Sequence, residues 1–291
     1  MRLQFGRYNF VVEADIKGFF DNIDHDRLIE LLSLRIADRS LLWLIKKWLK
    51  AGVLDTDGKV IHPATGSPQG GIVSPILANV YLHYALDLWF EEVVKASCRG
   101  EAFLIRYAED FVCGFQQEEE AQTFYKALEF RLEKFGLQLA ADKTRVIGFS
   151  RKEKPWSSRF DFLGFEFHWG RDRKGRPHVK RRTSRKKLRN SLANFTQWCK
   201  ENRNLRLRLF FPTLKLKLRG HYNYYGVAGN AQGLNEFYRE ATGILFKWLN
   251  RRSQRGGVLT GKGSTTCSIT TRCHGHGSCP SRQLRSRQRS S

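Results

Sequence analysis

Three carboxylates carry the chemistry this chain could do. Asp15 follows Phe10-Val-Val-Glu-Ala14, a β-rich apolar run that reads as a strand buried on both faces. A charge at the end of such a strand is costly unless it is paired or bound to a metal. A helix cap or a salt bridge would answer that cost equally well. Glu109 and Asp110 lie between two short apolar runs, 103–107 and 111–115, the pattern of a hairpin with two acids at its tip. Alone, that tip is an ordinary polar turn. On adjacent central strands, however, these acids can converge and hold hard divalent cations through oxygen. Two such ions about 4 Å apart would clamp the attacking and leaving oxygens of a phosphoryl transfer.

The charge distribution says what the substrate would be. The 291 residues carry 51 Lys+Arg and 28 Asp+Glu, a formal net charge of +23. Residues 1–150 hold 18 basic and 21 acidic side chains, so the whole excess lies in residues 151–291. Such a field attracts a polyanion, and nucleic acid is favoured over a merely solubilising surface. A basic half beside a phosphoryl-transfer centre turns the expectation toward a polymerase. The 41% hydrophobic content is enough for a core and excludes a wholly disordered chain. The longest aliphatic-aromatic run, 41–45, is far short of the ~20 residues of a membrane span. No signal peptide is visible, and the six cysteines form no disulfide framework, so a reducing, cytoplasmic compartment is expected.

The elements that must position the acids follow from periodicity. Helices are expected from about Asp26, with Leu28, Ile29, Leu32 and Ile36 on one face, and from about Ser40 to Gly52. A short strand falls near Lys59–His62. Ser74-Pro75 starts a helix, Ser at the N-cap and Pro at N1, that reaches about Val94. An amphipathic helix with an acidic first turn spans Glu118–Phe135. Strands are expected at Leu137–Ala140, Thr144–Phe149 and Phe160–Trp169. After Lys180 only helices are expected, near 184–201, 212–224 and 233–252. Residues 256–291, basic and rich in Gly and Ser, are expected to be a disordered tail. Its Cys267, Cys273, His274, His276 and Cys279 fit none of the common zinc spacings.

The chain resembles the reverse transcriptases encoded by group II introns. The resemblance rests on FVVEADIKGFFDNIDHDRL (10–28), GSPQGGIVSPILANVYLHYALD (66–87), FLIRYAEDFVCGF (103–115), GLQLAADKTRVIGF (136–149) and FDFLGFEF (160–167). LRGHYNYYGVAGN (218–230) and FYREATGILFKWLNRRSQR (237–255) look like that family's thumb, or maturase, region. These motifs stand in the family's order over about 10–255. The resemblance implies an α+β fold, a right-hand polymerase palm (1–180) of antiparallel sheet and packed helices, followed by an all-α thumb/maturase domain (181–255). It implies RNA-directed DNA polymerisation with two Mg²⁺ and deoxynucleoside triphosphates, on an intron RNA template with a DNA primer, together with splicing assistance. Asp15, Glu109 and Asp110 would be the catalytic, metal-binding acids, with the Ile16 carbonyl as a further ligand. Phe20 matches the aromatic that blocks a 2′-hydroxyl, while Phe19 packs. Gln69 and Gly70 match the loop against nucleotide and template, and Lys143 a lysine near the triphosphate. Phe162, Leu163 and Gly164 resemble the primer grip. Arg181, Arg182, Arg185 and Lys186, with Tyr222, Tyr224 and Tyr225, would contact RNA, although at least one of the three tyrosines is expected to pack the helical core.

Three departures from the family matter. Tyr107-Ala108-Glu109-Asp110 has Glu where the family's YADD box has Asp. The chain starts almost at Asp15, so the N-terminal fingers are expected to be missing, and similarity stops near Arg255. A polymerase-impaired RNA-binding maturase and an inactive truncated remnant therefore stand as alternatives, and a homodimer or a complementing fingers fragment as possible partners.

Overall fold

The computed structural model describes residues 7–51, 53–54, 60–61, 65–66, 72–152 and 156–252. Strand β1 (Phe10–Ala14) leads into the two-residue β2 (Ile16–Lys17), a 3-10 turn at Phe19–Asp21, and helices α1 (His25–Ser33) and α2 (Arg39–Lys50). Short strands β3 (Val53–Leu54) and β4 (Val60–Ile61) pair with each other. Helix α3 (Ser74–Leu82) runs on through π-helical stretches at His83–Asp87 and Phe90–Val94 into α4 (Lys95–Ser97). Then come β5 (Ala102–Tyr107), β6 (Asp110–Phe115), α5 (Glu118–Glu133), β7 (Gln138–Leu139) and β8 (Arg145–Gly148). Strands β9 (Arg159–Phe162), β10 (Phe165–Arg171) and β11 (Pro177–Thr183) precede three helices, α6 (Arg185–Asn202), α7 (Leu207–Tyr225) and α8 (Ala231–Asn250).

The mixed helix-and-sheet class expected from the sequence is what forms. One sheet has the order β5-β6-β1-β8 and a second the order β11-β10-β9, both antiparallel throughout. The first sheet is covered on both sides, which is why β1 and β6 are apolar runs rather than alternating ones. Val12, Ala14, Phe111, Cys113 and Phe115 face the helices and join Leu28, Tyr81, Phe90, Phe124 and Leu128 in the main core. Val11 and Val112 face the other way and pack with Phe149, Phe160, Phe167 and Trp169 of the second sheet's side. A third core of Leu188, Phe195, Phe210, Leu214 and Phe237 holds the three long helices. Among the described residues no helix is long and apolar enough to cross a membrane.

Several elements differ from expectation for identifiable reasons. Ser74 is not an N-cap: it is buried as the first helical residue, and Val73 precedes it without a side-chain cap. Phe160–Trp169 is not one strand but two, turning at Leu163 and Gly164, whose φ values are +50° and +75°. Strand β11 was not expected at all. Its sequence, PHVKRRT, alternates poorly, and it is a strand because β10 pairs with it along its whole length. The sheet thus continues past residue 180, and the first of the helices begins at Arg185, within a residue of the expected 184. Helix α7 starts at Leu207 and carries Pro212 inside it. The Cys/His tail, 253–291, lies outside the described residues.

Sheet and helices are joined by Asn230, which is fully buried. Its Oδ1 accepts from the Thr183 backbone N–H at 2.8 Å, and its Nδ2 donates to Thr183 Oγ1 at 2.8 Å and to the Tyr225 carbonyl at 2.9 Å. Asn230→Ala leaves these buried groups unsatisfied. It is expected to lower stability by about 2–4 kcal/mol, read as a fall in the urea midpoint.

Candidate active site

The register of the central ladder builds the site. Ala14 lies opposite Phe111, so the next pair outward in this antiparallel ladder sets Asp15 against Asp110. Side chains alternate along a strand, and both acids share the face of Val11 and Val112, toward the second sheet. The backbone at Asp15 is fixed by β7: the Ala140 N–H donates to the Asp15 carbonyl at 2.9 Å, and Ile16 pairs with Leu139.

Like charges directly opposite each other repel, and the site answers with lysines. Lys143 Nζ donates to Asp15 Oδ2 at 2.5 Å. That bond, followed by the Asp15 charge, pushes the Lys143 ammonium above its ordinary range. Asp110 is pushed up too, first by partial burial, then by the charges of Asp15 and Glu109; Lys187 and Lys143 pull the other way.

The acid-bearing turn is braced from behind. Tyr107 pairs with Asp110, and Ala108 between them adopts φ +51°. Arg106 donates from Nη1 to the Ala108 carbonyl at 3.0 Å and to Asn79 Oδ1 at 2.8 Å. Its guanidinium also forks onto Asp87 at 2.7 and 2.6 Å. Sequence reasoning did not single out Arg106 or Asp87. The available signal was a basic residue inside the apolar run 103–107.

Phe19 is buried, as expected, and Phe20 is half-buried beside it, their ring centroids 5.3 Å apart. Gly66 sits against the same segment. Its N–H donates to the Ile23 carbonyl at 2.8 Å, and its carbonyl meets Nε2 of buried His25, a contact the sequence did not suggest. At φ +92°, with a Cβ 2.8 Å from Asp21 backbone, only glycine fits there. Gln69 and Gly70 lie outside the described residues.

The Phe162-Leu163-Gly164 turn is held by the helices. Tyr224 Oη donates to the Leu163 carbonyl at 3.0 Å, and the Ser184 N–H donates to the Gly164 carbonyl at 3.0 Å. A Cβ on Gly164 would lie 3.2 Å from Tyr225 Oη and 3.6 Å from Lys187 Cγ. Tyr225 is buried, and Tyr222 packs in the helical core against Phe237. Of the three tyrosines only Tyr224 is substantially exposed, at 54%. Arg182 Nε donates to Glu166 at 2.9 Å and Arg181 Nε to the Ala228 carbonyl at 3.3 Å. Arg185 and Lys186 are exposed in the first turn of α6, which holds no acid.

Among the described residues, no three His, Cys, Asp or Glu side chains gather as a ready-made metal cage. Of the expected ligands, the structure brings Asp15 and Asp110 into opposition and keeps Ile16 and Glu109 as their chain neighbours. The donors still suit a hard cation: they are all oxygen, and Asp110 carries an excess of neighbouring negative charge that a divalent ion would offset.

Residues 3–167 match the family model described as reverse transcriptase (RNA-dependent DNA polymerase), and the chain belongs to that family. Its kinship within the family is with the reverse transcriptase/maturase proteins of group II introns. It is 51% identical to the group II intron-encoded protein LtrA of Lactococcus lactis subsp. cremoris over 83 residues, 28% of this chain and 14% of that protein. It is 29% identical to protein YkfC of Escherichia coli (strain K12) over 222 residues, 65% of this chain and 55% of that one. These matches thus span only part of either relative's length. The fold also aligns with apo telomerase from Candida tropicalis at a TM-score of 0.46 and 14% identity, covering 84% of this chain and 42% of that one.

Because the Asp110 carboxyl is raised above its ordinary 3.8, ionising it costs stability. The favourable contribution is whole below pH 3.8 and is lost as the pH rises through the raised value. Asp110→Asn is therefore expected to raise the melting temperature at neutral pH, by about 1–4 °C. Millimolar Mg²⁺ is expected to raise the melting temperature of the parent chain and to do so less in Asp110→Asn, both read by differential scanning calorimetry.

Proposed function

We propose that this chain is an RNA-directed DNA polymerase of the group II intron type, extending a DNA primer on intron RNA with deoxynucleoside triphosphates. The observation that carries the proposal is the opposition of Asp15 and Asp110 at the end of the β1–β6 ladder, with Lys143 on Asp15, in a chain of the reverse transcriptase family. The two sheets and their covering helices are the palm of a right-handed polymerase. The three long helices, of which α6 and α7 are basic, are its thumb, or maturase, domain.

Asp15 and Asp110, with the Ile16 carbonyl and Glu109, would hold two divalent cations. Those ions supply Lewis-acid stabilisation of the attacking and leaving oxygens. The primer 3′-hydroxyl attacks the nucleotide's α-phosphate, and pyrophosphate leaves. Lys143 offers a cation to the triphosphate, and the Phe20 ring rejects a ribose 2′-hydroxyl. The Phe162-Leu163-Gly164 turn, tied to the helices through Tyr224, braces the primer end. Arg185 and Lys186, free of acidic neighbours in their helix turn, meet RNA phosphates, and Tyr224 keeps ring surface available for a base.

One observation favours a second function, intron RNA binding with impaired polymerisation. Glu109 moves its carboxylate outward by one methylene, and a displacement near 1 Å can cost roughly 10²-fold in rate. Mg²⁺-dependent primer extension on an RNA template separates the two. The parent chain is expected to extend the primer, Glu109→Asp to do so about 10- to 10²-fold faster, and Asp15→Ala not at all while its RNA affinity is unchanged. Extension by Glu109→Asp alone would assign the natural chain to RNA binding. Silence of all three chains with RNA affinity intact would do the same, and loss of RNA affinity as well would sink both functions.

A further inference from the structure

At the far end of β1 from the acids, a half-open cavity of about 520 Å³ is lined, among the described residues, by Arg7, Asn9, Gln116, Arg151 and Lys152. Strand pairing creates it. Phe10 lies opposite both Phe115 and Gly148, so the residues just before β1, just after β6 and just after β8 meet at one edge. The floor is tied down. Asn9 Nδ2 donates to the Gln116 carbonyl at 3.0 Å, its Oδ1 accepts from Ser150 Oγ at 3.1 Å, and Ser150 Oγ accepts from the Lys152 N–H at 3.2 Å. The Arg151 carbonyl accepts from Trp156 Nε1 at 3.0 Å.

The lining chemistry is one-sided. Among the described residues, three of the five lining side chains are cations, none is acidic and none is aromatic. Arg7 shares its charge with Glu101 at 3.6 Å, a solvent-exposed pair. Among the described residues Arg151 and Lys152 have no acidic partner within salt-bridge distance, and both are exposed. Arg151 and Lys152 open the basic half of the chain, and the fold sets them beside Arg7 of the slightly acidic first half. The described lining thus offers a base no aromatic platform to stack on. What it offers is charge, plus amide groups at the floor, which suits a phosphodiester rather than a nucleobase.

We infer that this cavity is an RNA backbone-binding site, separate from the catalytic acids, that grips phosphodiesters without regard to sequence. It rests on the proposed action on RNA. Six residues of extended chain separate Asn9 from Asp15, about 20 Å at a strand's rise per residue. A nucleotide reacting at the acids cannot touch the cavity. A longer RNA, running from the cleft around the edge of the sheet, can occupy both.

The test is salt-dependent binding of the full chain to two probes, a short RNA–DNA hybrid that fills only the cleft and a single-stranded RNA long enough to pass the cavity. Arg151→Gln with Lys152→Gln removes two exposed charges, and a matched control, Lys126→Gln with Lys134→Gln, removes two exposed charges elsewhere. For the long RNA, the slope of log affinity against log salt is expected to fall in magnitude by about 1.5 in the cavity variant, the value for two lost phosphate contacts. The control and the hybrid should keep the parent slope. Equal falls in both variants, or no fall in either, would overturn the site while leaving the RNA reading intact. Failure of the parent to bind either probe would overturn the RNA reading, and the site with it.

Discussion

Two carboxylates facing each other at the end of a buried ladder form the constraint around which this chain is arranged. Asp15 and Asp110 cannot relax apart. β1 is hydrogen-bonded to β6 on one side and β8 on the other, and β7 closes on the Asp15 carbonyl. A strand slip would move the acids away from each other, but a slip of one residue would also turn Val12 and Phe111 out of the main core. The core therefore enforces an electrostatically unfavourable pair. Lys143 on Asp15, and the field of Lys187 at Asp110, offset part of it. What stays uncompensated adds to partial burial in holding the Asp110 carboxyl above its ordinary range.

The second feature is the start of α6, whose cations meet acids only on other elements, Lys186 near Asp161 and Lys187 near Asp110. Arg185, Lys186 and Lys187 occupy the positive end of the helix dipole with no acid in that turn. Each cation there costs about 0.3–1 kcal/mol. The same turn abuts the Gly164 bend, so cation-seeking acids and anion-seeking lysines stand on neighbouring elements. A nucleic-acid strand running between them, with divalent ions at the acids, would satisfy both at once.

The parts legible in the sequence were those that local pattern determines. β1, the β5–β6 hairpin and helices α1, α2 and α5 follow from apolar spacing, and all formed within a few residues of the expected bounds. Asp15 and Asp110 stand out in the sequence as acids at the ends of apolar runs, and the β1–β6 register sets these two opposite each other. What escaped notice depends on partners distant in sequence. β11 has a charged sequence and exists through β10. His25 looks like the first residue of a helix, yet it is buried against the Gly66 carbonyl. Asn230 looks like a loop residue, yet it joins the sheet to the helices. The tyrosines of the 222–225 segment were ambiguous because stacking on a base and packing in a core need the same ring. Burial divides them, with Tyr225 inside and Tyr224 partly outside.

Arg106 decides what Glu109 can do. The turn that carries Glu109 is not free to shift, because Arg106 holds the Ala108 carbonyl while its own guanidinium is locked onto Asp87. Ala108 is already in the left-handed region, and a different turn would have to break the Tyr107–Asp110 pair. The extra methylene of Glu, roughly 1.5 Å of reach, must therefore be absorbed by side-chain rotation and not by backbone movement. Asp110 feels no such change, since it belongs to the ladder and not to the turn. Glu109 is thus the acid whose charge still acts on Asp110 but whose placement is adjustable, whereas Asp15 and Asp110 are fixed by strand register.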